Sequence, residues 1–235
     1  ALAREMLGYV FGRQRRNIGV HSRFIDGAVL EPGFELDELC APVVALRRYV
    51  ESTGDASLAR QPVVRDGLAS ILRRLESKQH PSEALYETFL QPTDDLRNHA
   101  YLTYDNALVC FALCALADFL DRPELAERAE KTREAVYRHC VKERDGRRFF
   151  AWSVDLEGRY DIYDEPPGSL QLLPFYGFCA MDDPVWKNTV AMIRDKDYPL
   201  SFAGHPIAEI GCKHAPHPWV LSICNSLLSG NADSA

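Results

Sequence analysis

The feature that most constrains this chain is a repeated contrast between two kinds of helix joined by a tight hinge. From Leu36 to Val50 the apolar positions Leu36, Leu39, Cys40, Val43, Val44, Leu46, Tyr49 and Val50 recur at helical spacing with few charges among them. That is the pattern of a helix touching protein on most sides. The chain then turns at Thr53, Gly54 and Asp55, and the next helix differs. Leu58, Val64, Leu68, Ile71, Leu72 and Leu75 form one stripe, while Arg60, Arg65, Asp66, Arg73, Arg74 and Glu76 fill the rest. Its polar side belongs to water.

The pair returns. Tyr104 to Leu120 is apolar nearly all round, turns at Asp121, Arg122 and Pro123, and gives way to a charged, amphipathic stretch from Leu125 to Val141. A third copy reads as a buried helix from Ser169 to Cys179, a hinge at Asp182, Asp183 and Pro184, and an outer helix from Val185 to Arg194. A fourth buried helix, Trp219 to Leu228, leads into a hinge at Ser229, Gly230, Asn231, Ala232 and Asp233. Each hairpin can bury its apolar face only against its neighbours, so the copies must curl into a ring or stack into a rod. The long linkers favour the ring over an open α-solenoid, which keeps its linkers short. The expected fold is all-α: an (α/α) toroid of helical hairpins, an incomplete (α/α)6 barrel, with small β-hairpins in the long loops. It is read as one domain over residues 1–235, truncated at the C-terminal end, with open edges able to self-associate.

Composition narrows the partners. Lys and Arg number 27 against 34 Asp and Glu, a net charge of -7, which gives no basic field for phosphates and disfavours nucleic acid. The longest apolar run, Ala107 to Ala117, is short for a bilayer, so no membrane span is expected. Seven scattered cysteines without a C-x-x-C read as buried free thiols and point to a reducing, cytoplasmic setting. The opening residues lack the pattern of a signal peptide and read as the interior of a helix. Arg13, Arg15, Arg16 and Arg23 read as a solvated helix end.

The linkers carry the chemistry-bearing residues. The first, Gln79 to Thr103, holds Gln91, Pro92, Thr93, Asp94 and Asp95 among aromatic and polar residues. Adjacent carboxylates repel, so one of Asp94 and Asp95 can keep its proton in a partly desolvated site and serve as a general acid; the alternative is an exposed turn or cap. The second, Gly146 to Ser169, pairs Phe149, Phe150 and Trp152 with Tyr160, Ile162 and Tyr163 around a turn at Glu157 and Gly158, the signature of a short hairpin. Asp164 and Glu165 follow, ahead of Pro166, Pro167 and Gly168. Acids beside exposed aromatic rings suit a sugar, whose C–H face stacks while its hydroxyls bind carboxylates; the alternative is a structural turn capped by Asp164. The third, Tyr198 to Pro218, contains His205, Glu209, His214 and His217. Pro216 and Pro218 keep that segment extended, so the imidazoles need not converge, and no metal is expected there.

Three of these stretches resemble the six-hairpin glycosidases, above all glycoside hydrolase family 125, the metal-independent exo-α-mannosidases. Phe34-Glu35-Leu36-Asp37-Glu38-Leu39 is similar to the family's W-E-[IL]-D-S-L, and Leu90-Gln91-Pro92-Thr93-Asp94-Asp95 to its F-R-P-S-D-D. Asp164-Glu165-Pro166-Pro167-Gly168-Ser169-Leu170 with Leu173-Pro174-Phe175-Tyr176-Gly177 resembles D-D-A-N-x-P-S-L-L-x-L-P-Y-L-G. The likeness continues through Tyr198 to Phe202 and Gly211 to Pro216. Gln91 stands where the family has arginine, Glu165 where it has a second aspartate, and Cys212-Lys213 interrupts its G-S-P-H segment.

The resemblance implies an inverting glycosidase that removes an α-linked sugar, mannose before others, from the non-reducing end of an oligosaccharide or small glycoside. It implies Asp94 or Asp95 as the acid, and Glu35, Asp37, Asp164, Glu165, His205 and His214 as pocket contacts. Trp152, Tyr163 and Phe202 become stacking surfaces, and no cofactor is implied. The family's base is a glutamate after the fourth hairpin, a point this sequence does not reach. Two other readings stand beside it: another toroid carbohydrate-active enzyme of debranching, trehalase or epimerase type, and a catalytically silent sugar-binding or helical scaffold.

Overall fold

The computed structural model describes residues 1–230. Its elements in chain order are α1 (Leu2–Tyr9), β1 (Val20–Arg23), β2 (Val29–Phe34), α2 (Leu36–Thr53), α3 (Pro62–Glu76), β3 (Tyr101–Leu102), α4 (Thr103–Leu120), α5 (Glu124–His139), β4 (Val141–Arg144), β5 (Arg147–Phe150), β6 (Ser153–Val154), α6 (Pro184–Ile193) and α7 (Val220–Leu228). A π-helical turn, Val10–Gln14, extends α1. The strands pair antiparallel as β1 with β2, β3 with β6 and β4 with β5.

Helix α4 dictates the layering. Every residue from Thr103 to Cys110 is buried, so this helix needs protein on all sides, and it has α2 alongside, α3 on its flank and α5 folded back against it. By length and composition its 18 residues, of mean hydropathy 1.4, could cross a membrane; 72% of that stretch is buried inside the protein, the condition of a core helix. It outruns the apolar stretch seen in the sequence because Thr103, Asp105 and Asn106 are buried as well.

The first two hairpins form as the sequence predicts. On α3 the buried Val64, Leu68, Ile71, Leu72 and Leu75 trace one stripe, and on α5 Leu125, Ala129, Thr132 and Val136 do the same. The hinges have a physical basis: α2 ends on Gly54 at φ 70° and α4 on Asp121 at φ 58°, both left-handed, where glycine and aspartate are tolerated.

The later copies depart from expectation. No regular helix spans Ser169 to Cys179; a 3-10 turn, Leu170–Leu172, stands there instead, preceded by another at Pro166–Gly168. Pro174 removes a backbone donor within that span and Gly177 takes φ 67°, both of which oppose a continuous α-helical ladder. Its outer partner α6 does form, capped by the Asp183 carboxylate on the Val185 and Trp186 amides. Helix α7 also forms but is not buried all round. Ser222, Asn225 and Ser226 turn inward, while Val220, Leu221, Leu227 and Leu228 lie exposed. The fourth hinge, read from Ser229 to Asp233, falls mostly outside the described residues.

The regular hairpin of the second linker is β4–β5, turning at Asp145 and Gly146, ahead of the site read from the sequence. Around Glu157 and Gly158 a single bridge, Val154 with Tyr160, replaces a ladder. Four cysteines are buried as read, but Cys114 and Cys224 are exposed and Cys179 is intermediate. Cys114 lies one turn beyond Cys110 and has rotated off the buried face of α4.

Candidate active site

The inner helices α2 and α4 bring acidic N-terminal turns to the same place. Glu35 is the residue before α2 begins, and its neighbour Leu36 donates its amide to Thr88 Oγ1 at 3.1 Å. The Phe89 and Leu90 amides both donate to the Phe34 carbonyl, at 3.1 and 3.0 Å, so the segment carrying Asp94 is stitched to the end of β2. The Gln91 amide donates to the Asp95 carbonyl and the Asp94 amide to the Gln91 carbonyl, closing a turn in which Asp94 takes φ 67°. That left-handed residue makes the adjacent carboxylates diverge. Asp94 Oδ1 lies 3.2 Å from His21 Nδ1, and Asp95 Oδ2 lies 3.0 Å from His214 Nδ1.

Below Asp94 lies a floor of acids with little to neutralise them. Burial, then the charges of Asp37, Asp94 and Glu38, push the Glu35 carboxyl up to about 8. Asp37 is pushed up to about 6, by burial first and then by Glu38. Asp105, completely buried in the first turn of α4, is raised by burial and by the charges of Asp37, Glu35 and Glu165. Asp37 Oδ1 and both Asp105 oxygens are shielded from solvent and have no hydrogen-bond partner among the described residues. These acids keep hydrogen-bonding capacity that the fold itself does not use.

The second acidic element reaches this floor because Gly168 lets it. A Cβ at Gly168 would fall 2.5 Å from Pro92 Cγ and 3.1 Å from the Tyr104 ring, so only glycine permits the Pro166–Gly168 turn to lie against the Pro92 loop. Glu165 is thereby set beside Thr93, whose hydroxyl donates to its Oε2 at 2.7 Å, and Gln91, whose amide donates to it at 3.4 Å. Burial pushes the Glu165 carboxyl up to about 7, against the opposing hydrogen bond of Thr93. Trp152 donates its indole N–H to Gln91 Oε1 at 3.2 Å and meets Tyr163 edge to face at 5.4 Å.

The sequence-named residues therefore divide. Glu35, Asp37 and Asp94 come together, and Asp95, His214 and Glu165 adjoin them through Thr93. Asp164 is one residue from Glu165 yet serves the fold: it accepts from Ser169 Oγ and the Leu170 amide, both at 2.7 Å. Trp152 and Tyr163 are buried rather than exposed ring faces and back the floor. Phe202 and the exposed His205 meet each other with ring centres 5.7 Å apart, and among the described residues neither bonds to the acids. Glu209 is occupied by Ser222, Ser226 and Arg194, which removes it from any grouping with the histidines.

Sequence reasoning missed His21 and Asp105 as site residues. Asp105 left a trace, a carboxylate one turn into a helix otherwise apolar enough to be core. His21 left none, because only the pairing of Val20 with Phe34 across β1 and β2 puts it beside Glu35. Among the described residues His21, Glu35 and Asp94 bring one ligand atom each inside 4.8 Å of the others, close enough to face a single point.

Known structures match this fold in part. A Streptococcus pneumoniae structure from a family of metal-independent α-mannosidases, in a non-productive complex with α-1,6-mannobiose, superposes with a TM-score of 0.80 at 18% identity. The match covers 97% of this chain and 66% of that one, so the chain spans just under two thirds of its relative. A GH78 family rhamnosidase of Bacillus sp. GL1 superposes over 84% of this chain and 21% of its own at a TM-score of 0.60 and 14% identity. Both likenesses concern the helical fold. No curated protein matches the sequence. Residues 81–235, which carry Asp94, Asp95, Asp105 and Glu165, match the family described as metal-independent alpha-mannosidase, and the chain belongs to that family, glycoside hydrolase family 125.

Proposed function

We propose that this protein is a glycosidase that removes mannose from the non-reducing end of α-linked mannosides with inversion at the anomeric carbon, built on an (α/α) barrel whose ring this chain forms in part. The observation that carries the reading is the divergent pair Asp94 and Asp95, held on a left-handed turn over a floor where Asp37 and Asp105 have unspent hydrogen-bonding capacity. Family membership and the mannobiose bound to the pneumococcal relative support mannose as the sugar.

Asp94 or Asp95, the solvent-facing acids of the group, protonates the departing glycosidic oxygen. Inversion requires a second carboxylate on the opposite face of the ring, roughly 6.5–9.5 Å from the acid, to leave room for the attacking water. Asp94→Asn and Asp95→Asn in the full-length protein test the assignment. One of them is expected to lower mannose release by about 10²–10⁴-fold while mannoside binding persists. Near-normal rates in both variants overturn it.

A further inference from the structure

His21 on β1, Glu35 ahead of α2 and Asp94 on the left-handed turn come from three separate segments to one point beside the acid pair. His21 Nδ1 lies 3.2 Å from Glu35 Oε1 and 3.2 Å from Asp94 Oδ1. Zinc bonds of about 2.0–2.1 Å at tetrahedral angles set neighbouring ligand atoms about 3.3 Å apart, so both spacings match an edge of a zinc tetrahedron. The far side of the ring is engaged as well, with Nε2 3.4 Å from Glu31 Oε2. The ring has two tautomers: with its proton on Nδ1 it bonds Glu35, and with its proton on Nε2 it turns the Nδ1 lone pair toward the Glu35 and Asp94 oxygens, the form in which it binds a cation. A carboxylate behind a histidine is the usual way a metal-bound imidazole is oriented.

We propose that His21, Glu35 and Asp94 bind a divalent transition-metal ion, zinc before calcium or magnesium given one imidazole nitrogen and two carboxylates, and that the bound ion inhibits. The ion takes up the Asp94 carboxylate and occupies the space above Glu35, so metal occupancy and sugar cleavage exclude each other, which accords with a family that works without metal. The inhibitory part rests on the function proposed above; the binding part does not.

The test is calorimetric titration of zinc into the full-length protein after chelator treatment, with cobalt as a spectroscopic substitute. One equivalent is expected to bind, and the cobalt spectrum is expected to lack a thiolate band, which separates this site from the exposed Cys114 and Cys224. His21→Ala is expected to abolish the binding, and Glu31→Gln, a milder change that keeps the ligands, to weaken it about 10-fold or more. Mannoside hydrolysis is expected to fall with the same midpoint and to return on chelation. A thiolate band, no binding, or unchanged affinity in Glu31→Gln overturns the site. One equivalent bound at His21 in a protein that cleaves no mannoside leaves the site standing and removes the proposed activity; hydrolysis untouched by bound zinc removes the inhibition.

Discussion

Asp164 and Glu165 are neighbours, both fully buried, and their partners give them opposite roles. Asp164 has spent both oxygens, on the Ser169 hydroxyl and the Leu170 amide, and its backbone is clasped by Tyr198, whose hydroxyl donates to the Asp164 carbonyl and accepts from its amide at 2.8 Å each. Removing that carboxylate strands two buried donors. Asp164→Ala is therefore expected to cost about 1–3 kcal/mol of unfolding free energy in a urea titration, since a buried donor left without its partner loses about that much. An unchanged midpoint would mean that the turn does not depend on this cap. The sequence could not separate the pair, because an acid before a proline turn reads alike whether it caps the turn or faces a ligand. The capping alternative was nonetheless legible in Ser169, a residue type that turns recruit.

At the level of elements, legibility follows periodicity. Helices α2 to α5 were readable because an apolar stripe or its all-round equivalent survives over four or more turns, and the hinges because Gly54 and Asp121 accept left-handed backbone. The third inner segment kept the apolar content of a helix but breaks into short turns around Pro174 and the left-handed Gly177, so composition misled there. Helix α4 shows how an element positions the site. Asn106 accepts from the Tyr86 amide at 2.8 Å and donates to the Tyr86 and Leu102 carbonyls at 3.1 and 2.8 Å, pinning the linker that carries Asp94 to the turn that carries Asp105. Asn106→Ala removes three buried hydrogen bonds and is expected to lower stability by about 2–4 kcal/mol, read as a shift in urea midpoint at constant slope. Gly168→Ala is expected to be costly for a different reason. Its methyl group meets Pro92 and Tyr104 head on, so a loss of about 1–3 kcal/mol is expected, of the size seen for overpacking. Stability unchanged in Gly168→Ala would show that the two acidic loops do not depend on that close approach.

Over the whole molecule the decisive property is convergence. Local pattern gave the first two hairpins and the acids of the linkers, and Glu35 and Asp37 came only through the family resemblance; the meeting of β1, α2, α4 and two linkers is a tertiary fact, and so His21 stayed invisible. Convergence also sets an unusual dependence on pH. Buried acids here have folded-state values above the ordinary ones: Asp105 is raised, and Glu165 moves from 4.5 to about 7. Between those two values the folded protein holds a proton on Glu165 that the unfolded chain has released, so stability falls as pH rises through the window and the loss is complete above it. For Glu165 alone the loss amounts to about 3 kcal/mol. Carboxylates of the opposite kind do not cancel this. Asp155, lowered to about 2 by the Glu157 and Arg159 amides and the Arg159 side chain, and Asp55, held low by Ser57 and Tyr49, lose their contributions only as pH falls below about 4, outside the window. The protein is thus expected to melt at a higher temperature near about pH 5 than near about pH 8. Glu165→Gln keeps an acceptor for Thr93 while removing the titration, so it should narrow that difference by raising the melting point at the alkaline end. Thermal unfolding across this range measures both effects. A wild-type protein that melts higher at the alkaline end would mean that the floor is ionised and solvated, and that the shielded cluster at the heads of α2 and α4 does not form.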